Sequence, residues 1–154
     1  SAMEIADRRV ATVHFTLRDE HGAQITSTHG HAPLVYMHGT GSLMPGLEQA
    51  LSGKSAGDTF RVTIAPTAGF GPRHEPLVQV LPRSRLQASA EPVVGARLAA
   101  QTAKGPLDVV VVAVDADTVT VDGNHPLAGR TVEAQVEVVD VRLATPHEQQ
   151  FGLG

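Results

Sequence analysis

The 154-residue chain contains no cysteine, which excludes disulfides, thiolate metal centres and cysteine nucleophiles together and suits a reducing compartment. It also has no excess of basic charge. Twelve Lys and Arg face sixteen Asp and Glu for a formal net charge of -4, so no broad cationic face is available for a phosphate backbone and no nucleic-acid partner is expected. Long apolar runs are missing as well: the longest, Val109 to Val114, is the length of a strand, so no membrane association is expected and a soluble cytoplasmic protein is the default. Aromatic side chains are scarce, with Phe15, Tyr36, Phe60, Phe70 and Phe151 and no tryptophan. The core must therefore be built mainly from Val, Leu, Ile and Ala, and each aromatic residue needs a reason for its place. Ser1-Ala2-Met3 reads as a remnant of processing ahead of a start at Met3 and is left out of the fold argument.

Ala11, Val13, Phe15 and Leu17 alternate with Thr12, His14, Thr16 and Arg18, the two-residue period of a strand with one buried face. A turn at Glu20-His21-Gly22 returns the chain through Ala23 to Ser27, with Ile25 as the apolar anchor. A short strand, Leu34 to Met37, leads into Gly39-Thr40-Gly41-Ser42. Leu43, Leu47, Ala50 and Leu51 then recur at helical spacing, with Pro45 near the start and Gly53 at the end, which predicts one short helix. Phe60, Val62 and Ile64 alternate as a further strand.

From Pro66 the texture changes. Prolines 66, 72, 76 and 82 and the glycines at 69 and 71 punctuate the chain, and residues 73–125 read as a separate small unit. It would hold a strand at Leu77 to Leu81, a helical piece at Ser84 to Ala88, and a meander of Ala96 to Gln101, Leu107 to Val114 and Thr118 to Val121. The first texture resumes with Val132, Ala134, Val136 and Val138, after which the apolar phase slips to Val139, Val141 and Leu143. That slip marks either a bulge or a strand buried on both faces. Residues 146–154 read as a frayed, flexible tail. Periodicity alone gives an α+β domain with a β-rich insertion.

Four segments in order carry a resemblance: Val13-His14-Phe15-Thr16-Leu17, Gly41-Ser42-Leu43-Met44-Pro45-Gly46-Leu47-Glu48, Gly69-Phe70-Gly71, and Asp122-Gly123-Asn124-His125-Pro126-Leu127-Ala128-Gly129. Together they resemble the SlyD/SlpA branch of the FKBP-type peptidyl-prolyl isomerases. The resemblance implies an antiparallel half-barrel sheet wrapped round a short helix over residues 4–72 and 126–145. It makes 73–125 an inserted chaperone domain, the insert-in-flap domain, that captures unfolded segments.

It also implies a proline-binding cup of Phe15, Ile25, Tyr36, Leu43, Met44, Leu47 and Phe70, with Leu127 at the rim and the Met44 N–H as donor to a substrate carbonyl. The alternative for each of these side chains is ordinary core. Three positions depart from the wider family pattern: Phe70 stands where many members have a flap tyrosine, though SlpA-like members share the Phe; Thr26 stands where many carry an acidic residue, and Ala134 where the last strand usually supplies a phenylalanine, and it is these last two that bear on the cup. Both imply a weakened or enlarged cup, which Ala134→Phe would be expected to refill. In the insert, Leu77, Val78, Val80, Leu81 and Leu98 are the candidates for client binding.

The implied partners are unfolded or nascent proline-containing polypeptides, with association to the ribosome as a further possibility. The rival expectation is a catalytically weak or inactive client-binding chaperone or ribosome-associated adaptor. No cofactor is implied. Of the eight histidines, His21, His29, His31 and His38 fall early, and His29-Gly30-His31 could chelate, but the pattern reads as a solvated loop and no metal site is expected. The His/Cys-rich tail of many members finds only His147 here, so no metallochaperone role is expected.

Overall fold

The computed structural model describes residues 2–85 and 91–154. Among them the elements run β1 (Arg9–Asp19), β2 (Gln24–Ser27), β3 (Leu34–Met37), α1 (Pro45–Leu51), β4 (Thr59–Ile64), β5 (Val78–Pro82), β6 (Arg97–Thr102), β7 (Gly105–Val114), β8 (Thr118–Asp122), β9 (Val132–Leu143) and α2 (Pro146–Phe151). The chain divides into two compact units: one holds the chain through Pro72 together with Gly129–Gly154, the other holds Arg73–Ala128. The second crossing lies at 128/129, three residues later than the sequence places it, because Pro126, Leu127 and Ala128 still turn with His125, whose carbonyl accepts the Ala128 N–H. Among the described residues no helix is long and apolar enough to cross a membrane.

In the first unit an antiparallel sheet runs β2-β1-β9-β4, and β3 pairs with β1 beside β2. Strict alternation sends Ala11, Val13, Phe15 and Leu17 to one face of β1, where they meet Val132, Ala134, Val136 and Val138 of β9. The phase slip in β9 is a bulge. Thr12 pairs with Asp140 and Val13 with Val138, so Val139 is the extra residue, and Val141 regains the core face opposite Ala11.

Helix α1 lays Leu47 and Leu51 into that core. It begins at Pro45 because proline fixes its own φ and holds the preceding residue out of the helical region; Met44 accordingly has φ -58° and ψ 142°. Gly46 is required by close approach, since a Cβ there would come within 2.8 Å of Ile64 Cγ2 on β4.

The tail is not frayed. Residues 146–151 form α2, opened by a capping box in which Thr145 Oγ1 accepts the Glu148 N–H at 3.1 Å and Glu148 Oε1 accepts the Thr145 N–H at 2.9 Å. Arg142 clasps the same carboxylate with both terminal nitrogens, at 2.7 and 2.8 Å. The Arg142 guanidinium, with the Thr145 N–H, pulls the Glu148 carboxyl down from 4.5 to about 2. A depressed folded-state value means that this support is complete above the ordinary carboxylate range and is lost as pH falls toward the depressed one. Protection of the Gln149 and Gly152 amides, whose N–H groups bond Thr145 O and Glu148 O, is therefore expected to fall, relative to the intrinsic exchange rate at each pH, between pH 4.5 and about 2, with Glu148→Gln already poorly protected at neutral pH.

The second unit is a four-stranded antiparallel sheet, β5-β8-β7-β6, closed on Val109, Val111, Val119 and Val121. The strands β6, β7 and β8 form the expected meander, and β5 adds to the free side of β8. Of the expected helical piece at 84–88, Ser84 and Arg85 lie in a 3₁₀ turn, Arg83–Arg85, and the remainder lies outside the described residues.

Candidate active site

Eight of the residues proposed for the cup fall in one hydrophobic cluster of the first unit, but at two depths. Phe15, Ile25, Leu43, Met44 and Phe70 are half-buried and pack against the core. Tyr36, Leu47 and Ala134 are 2%, 3% and 0% exposed. This second group is all but closed to water and forms the floor of the cluster, while the five half-buried side chains carry its exposed surface. Ala134 in particular is central in the sheet, with Leu17 of β1 and Val62 of β4 on either side, so its small size leaves no opening to solvent.

Thr26 lies outside the cluster. It is exposed on β2, one residue beyond the inward-facing Ile25, as strand alternation requires. Leu127 belongs to the second unit, half-buried in the turn after β8, where its N–H donates to His125 Nδ1 at 3.0 Å. Leu34 is the residue the sequence reading missed: it is half-buried in the same cluster, two places before Tyr36 on the same face of β3. The alternation of Leu34 and Tyr36 was the available signal.

The Phe15 N–H donates to Thr28 Oγ1 at 2.9 Å and its carbonyl accepts the Thr28 N–H at 3.0 Å, which prolongs the β1–β2 pairing past the end of β2. His14 Nδ1 lies 2.9 Å from the same hydroxyl. Met44 stands just ahead of α1. Its carbonyl accepts from Leu47 and Glu48, while its own N–H meets no acceptor among the described residues.

The loop between β3 and α1 is held by Glu48, whose Oε1 accepts the Gly39 N–H at 2.6 Å. Beneath it the Tyr36 hydroxyl lies 3.1 Å from His38 Nδ1. Burial, and then the Glu48 carboxylate, push the Tyr36 phenol up, so it is neutral at any physiological pH.

Phe70 sits in a turn closed by Gly71 N–H to Pro66 O at 2.7 Å, with Gly71 at φ +90°, where a side chain would be strained. Where the chain returns, the Gly129 N–H donates to Gly71 O at 2.7 Å.

Within the second unit the Asn-His-Pro run has a separate task. Asn124 Oδ1 accepts the His74 N–H at 2.8 Å, its amide donates to His74 O at 3.1 Å, and Arg73 pairs with Asp122 at 2.8 Å. Outgoing and returning segments are thereby stitched together. Burial pulls the Asp122 carboxyl up, but hydrogen bonds from Asn124 and Arg73 outweigh it and hold the group below its usual value.

The candidate client residues of this unit also divide. Val80 is 64% exposed on β5, an edge strand paired only through β8. Leu77 and Val78 are half-buried, and Leu81 and Leu98 pack into the unit's own core. Val93 and Val94, both exposed, are apolar surface that the sequence reading did not single out. Among the described residues no group of three metal-ligating side chains comes together.

The FKBP-type peptidyl-prolyl cis-trans isomerase family matches residues 2–87. The SlyD isomerase of Vibrio cholerae is 45% identical over 97% of this chain and 75% of its own length. Those of Aeromonas hydrophila and Escherichia coli K12 are 44% and 41% identical over the same share of this chain and 70% and 76% of theirs. With the antiparallel sheet round α1 and a second, β-rich unit over Arg73–Ala128, the chain belongs to the SlyD-like FKBP-type peptidyl-prolyl cis-trans isomerases.

Proposed function

We propose that the protein isomerises X-Pro bonds in the apolar cup of the first unit and captures unfolded polypeptide on the second. The observation that carries this reading is the layer of half-buried apolar side chains, Phe15, Ile25, Leu34, Leu43, Met44 and Phe70, together with a Met44 N–H that meets no acceptor among the described residues.

The barrier to X-Pro rotation is ~18–20 kcal/mol because amide resonance is lost midway, and no covalent bond to the protein is needed. A cup of this kind holds the proline ring by hydrophobic contact, and the Met44 N–H takes the neighbouring carbonyl in place of water. A twisted amide is less polar than a planar one, so apolar walls favour it over the ground state, and only that difference accelerates the reaction. Thr26, exposed and uncharged, adds no carboxylate to the site, which favours a modest rate.

Clients on this reading are unfolded, proline-containing segments, met in the cytoplasm, where a chain without cysteine is at no disadvantage. Edge strand β5 offers main-chain pairing to an extended segment, with Val80 beside it. Nascent chains are one source of such segments, and co-sedimentation with ribosomes is the measurement that decides whether they are met there. The test of the whole reading is refolding of a protein limited by a prolyl bond. Catalytic amounts should speed the slow phase, whereas client binding without acceleration would leave only a binding module.

A further inference from the structure

We infer that Arg130 is a positioning residue for isomerisation, acting on Phe70 through the hydrogen bond between the two points where the chain leaves and rejoins the first unit. The inference rests on the reading of Phe70 as a wall of the proline site.

Phe70 is carried by a turn, with a glycine on each side, so its position depends on how that turn is held. The turn is closed on one side by Gly71 N–H to Pro66 O and on the other by Gly129 N–H to Gly71 O, both at 2.7 Å. The second of these bonds is only as firm as the segment that carries Gly129. That segment is fixed one residue later. Arg130 Nε donates to Glu20 Oε1, Arg130 Nη2 donates to Asp19 Oδ2 at 3.1 Å, and Glu20 Oε2 accepts the Thr131 N–H at 3.0 Å.

Asp19 is itself built into the β1–β2 turn, where its Oδ1 accepts the N–H groups of His21 and Ala23 at 2.9 Å each. Hydrogen bonds from Ala23 and His21, with the Arg130 charge, hold the Asp19 carboxyl below its usual range, and Arg130 does the same for Glu20. Both carboxylates are therefore ionised at neutral pH, and the guanidinium is shared between them. The path from the hairpin to Phe70 runs Asp19/Glu20, Arg130, Gly129, Gly71, Phe70, without a gap.

Side-chain charge in this path is partly solvated, with Arg130 and Glu20 each about a third exposed, so it is screened by salt. Loosening Gly129 widens the range of Phe70 positions and weakens ground-state and transition-state contacts alike, which raises KM and spares kcat. A role confined to stability would lower Tm and leave that split unchanged.

The experiment is a double-mutant cycle on the full chain, Arg130→Gln against Phe70→Ala, read by NMR titration and exchange with a short proline peptide. Arg130→Gln should weaken peptide binding about five-fold, the scale of two exposed ion pairs, with the exchange rate at saturation little changed. Arg130→Lys should recover part of the loss. Binding by the natural chain should weaken with added NaCl, and that of Arg130→Gln should not. In the Phe70→Ala background Arg130→Gln should have no further effect. Unchanged binding in Arg130→Gln, or an equal loss with and without Phe70, overturns the inference. Unchanged binding and exchange in Phe70→Ala alone instead overturns the reading of the cup on which it stands.

Discussion

Replacing Arg73–Ala128 by a short Gly/Ser linker is expected to leave a folded first unit that still isomerises proline peptides but has lost its hold on unfolded clients. The two ends left by the cut already meet, since the Gly129 N–H and Gly71 O are 2.7 Å apart, and a short linker spans them without strain. The hydrophobic residues divide in the same way. Ile5, Leu51, Ile64, Val136 and their neighbours form one cluster in the first unit, and Val109, Val111, Val119 and Val121 form another in the second. Cooperative thermal unfolding should therefore survive the deletion; its loss would mean that the two units share one core.

The kinetic consequence is larger. On the proposed reading, a segment held on the second unit reaches the cup of the same molecule at high effective concentration, so the deletion should slow catalysed refolding of a protein client by ~10²-fold while peptide isomerisation changes little. An undiminished effect on refolding would remove the second unit from client capture.

Alternation in the sequence identified which face of a strand is apolar, and that was enough for β1 and β4; in β9 it showed the phase slip but left a bulge and a doubly buried strand equally open. It did not identify depth, because depth depends on what covers the face. Tyr36 and Leu34 share one face of β3, and the aromatic ring drew attention, yet Tyr36 lies under the sheet with its hydroxyl on His38 while Leu34 is the half-buried one. Leu81 and Leu98 likewise read as client surface, and both are half-buried against the core of their own unit, whereas Val80 between strand neighbours is the exposed one. Leu127, expected at the cup's rim, is assigned to the second unit, since the chain rejoins the first only at Gly129.

The order of strands was not legible either. Nothing local makes β9 the neighbour of both β1 and β4; that pairing follows from long-range closure of the sheet. For α2 a signal was present and passed over: Thr145-Pro146-His147-Glu148 carries the spacing of a capping box, but prolines had marked the preceding breaks and masked one that opens a helix.

Phe70→Ala and Ala134→Phe are expected to separate the walls of the cup from its floor. Phe70 is half-buried in a turn, outside every strand and helix, and packs against the core cluster from there, so its truncation should cost a bound ring more than it costs the fold. An aromatic side chain carries ~150–250 Å² of surface, and losing even a fraction of that contact should lower kcat/KM about ten-fold with little change in Tm. Ala134 is the reverse case. Its sequence position suggests that a phenylalanine would refill the cup and speed the reaction, but at 0% exposure between Leu17 and Val62 it has no space to receive a ring. The added volume has to push those neighbours and the Phe15 layer apart, at a cost of ~1–3 kcal/mol in stability, and activity should fall with the distorted cup. Faster isomerisation by Ala134→Phe at undiminished Tm would show that the floor opens in solution, and unchanged kcat/KM in Phe70→Ala would place the reacting proline elsewhere.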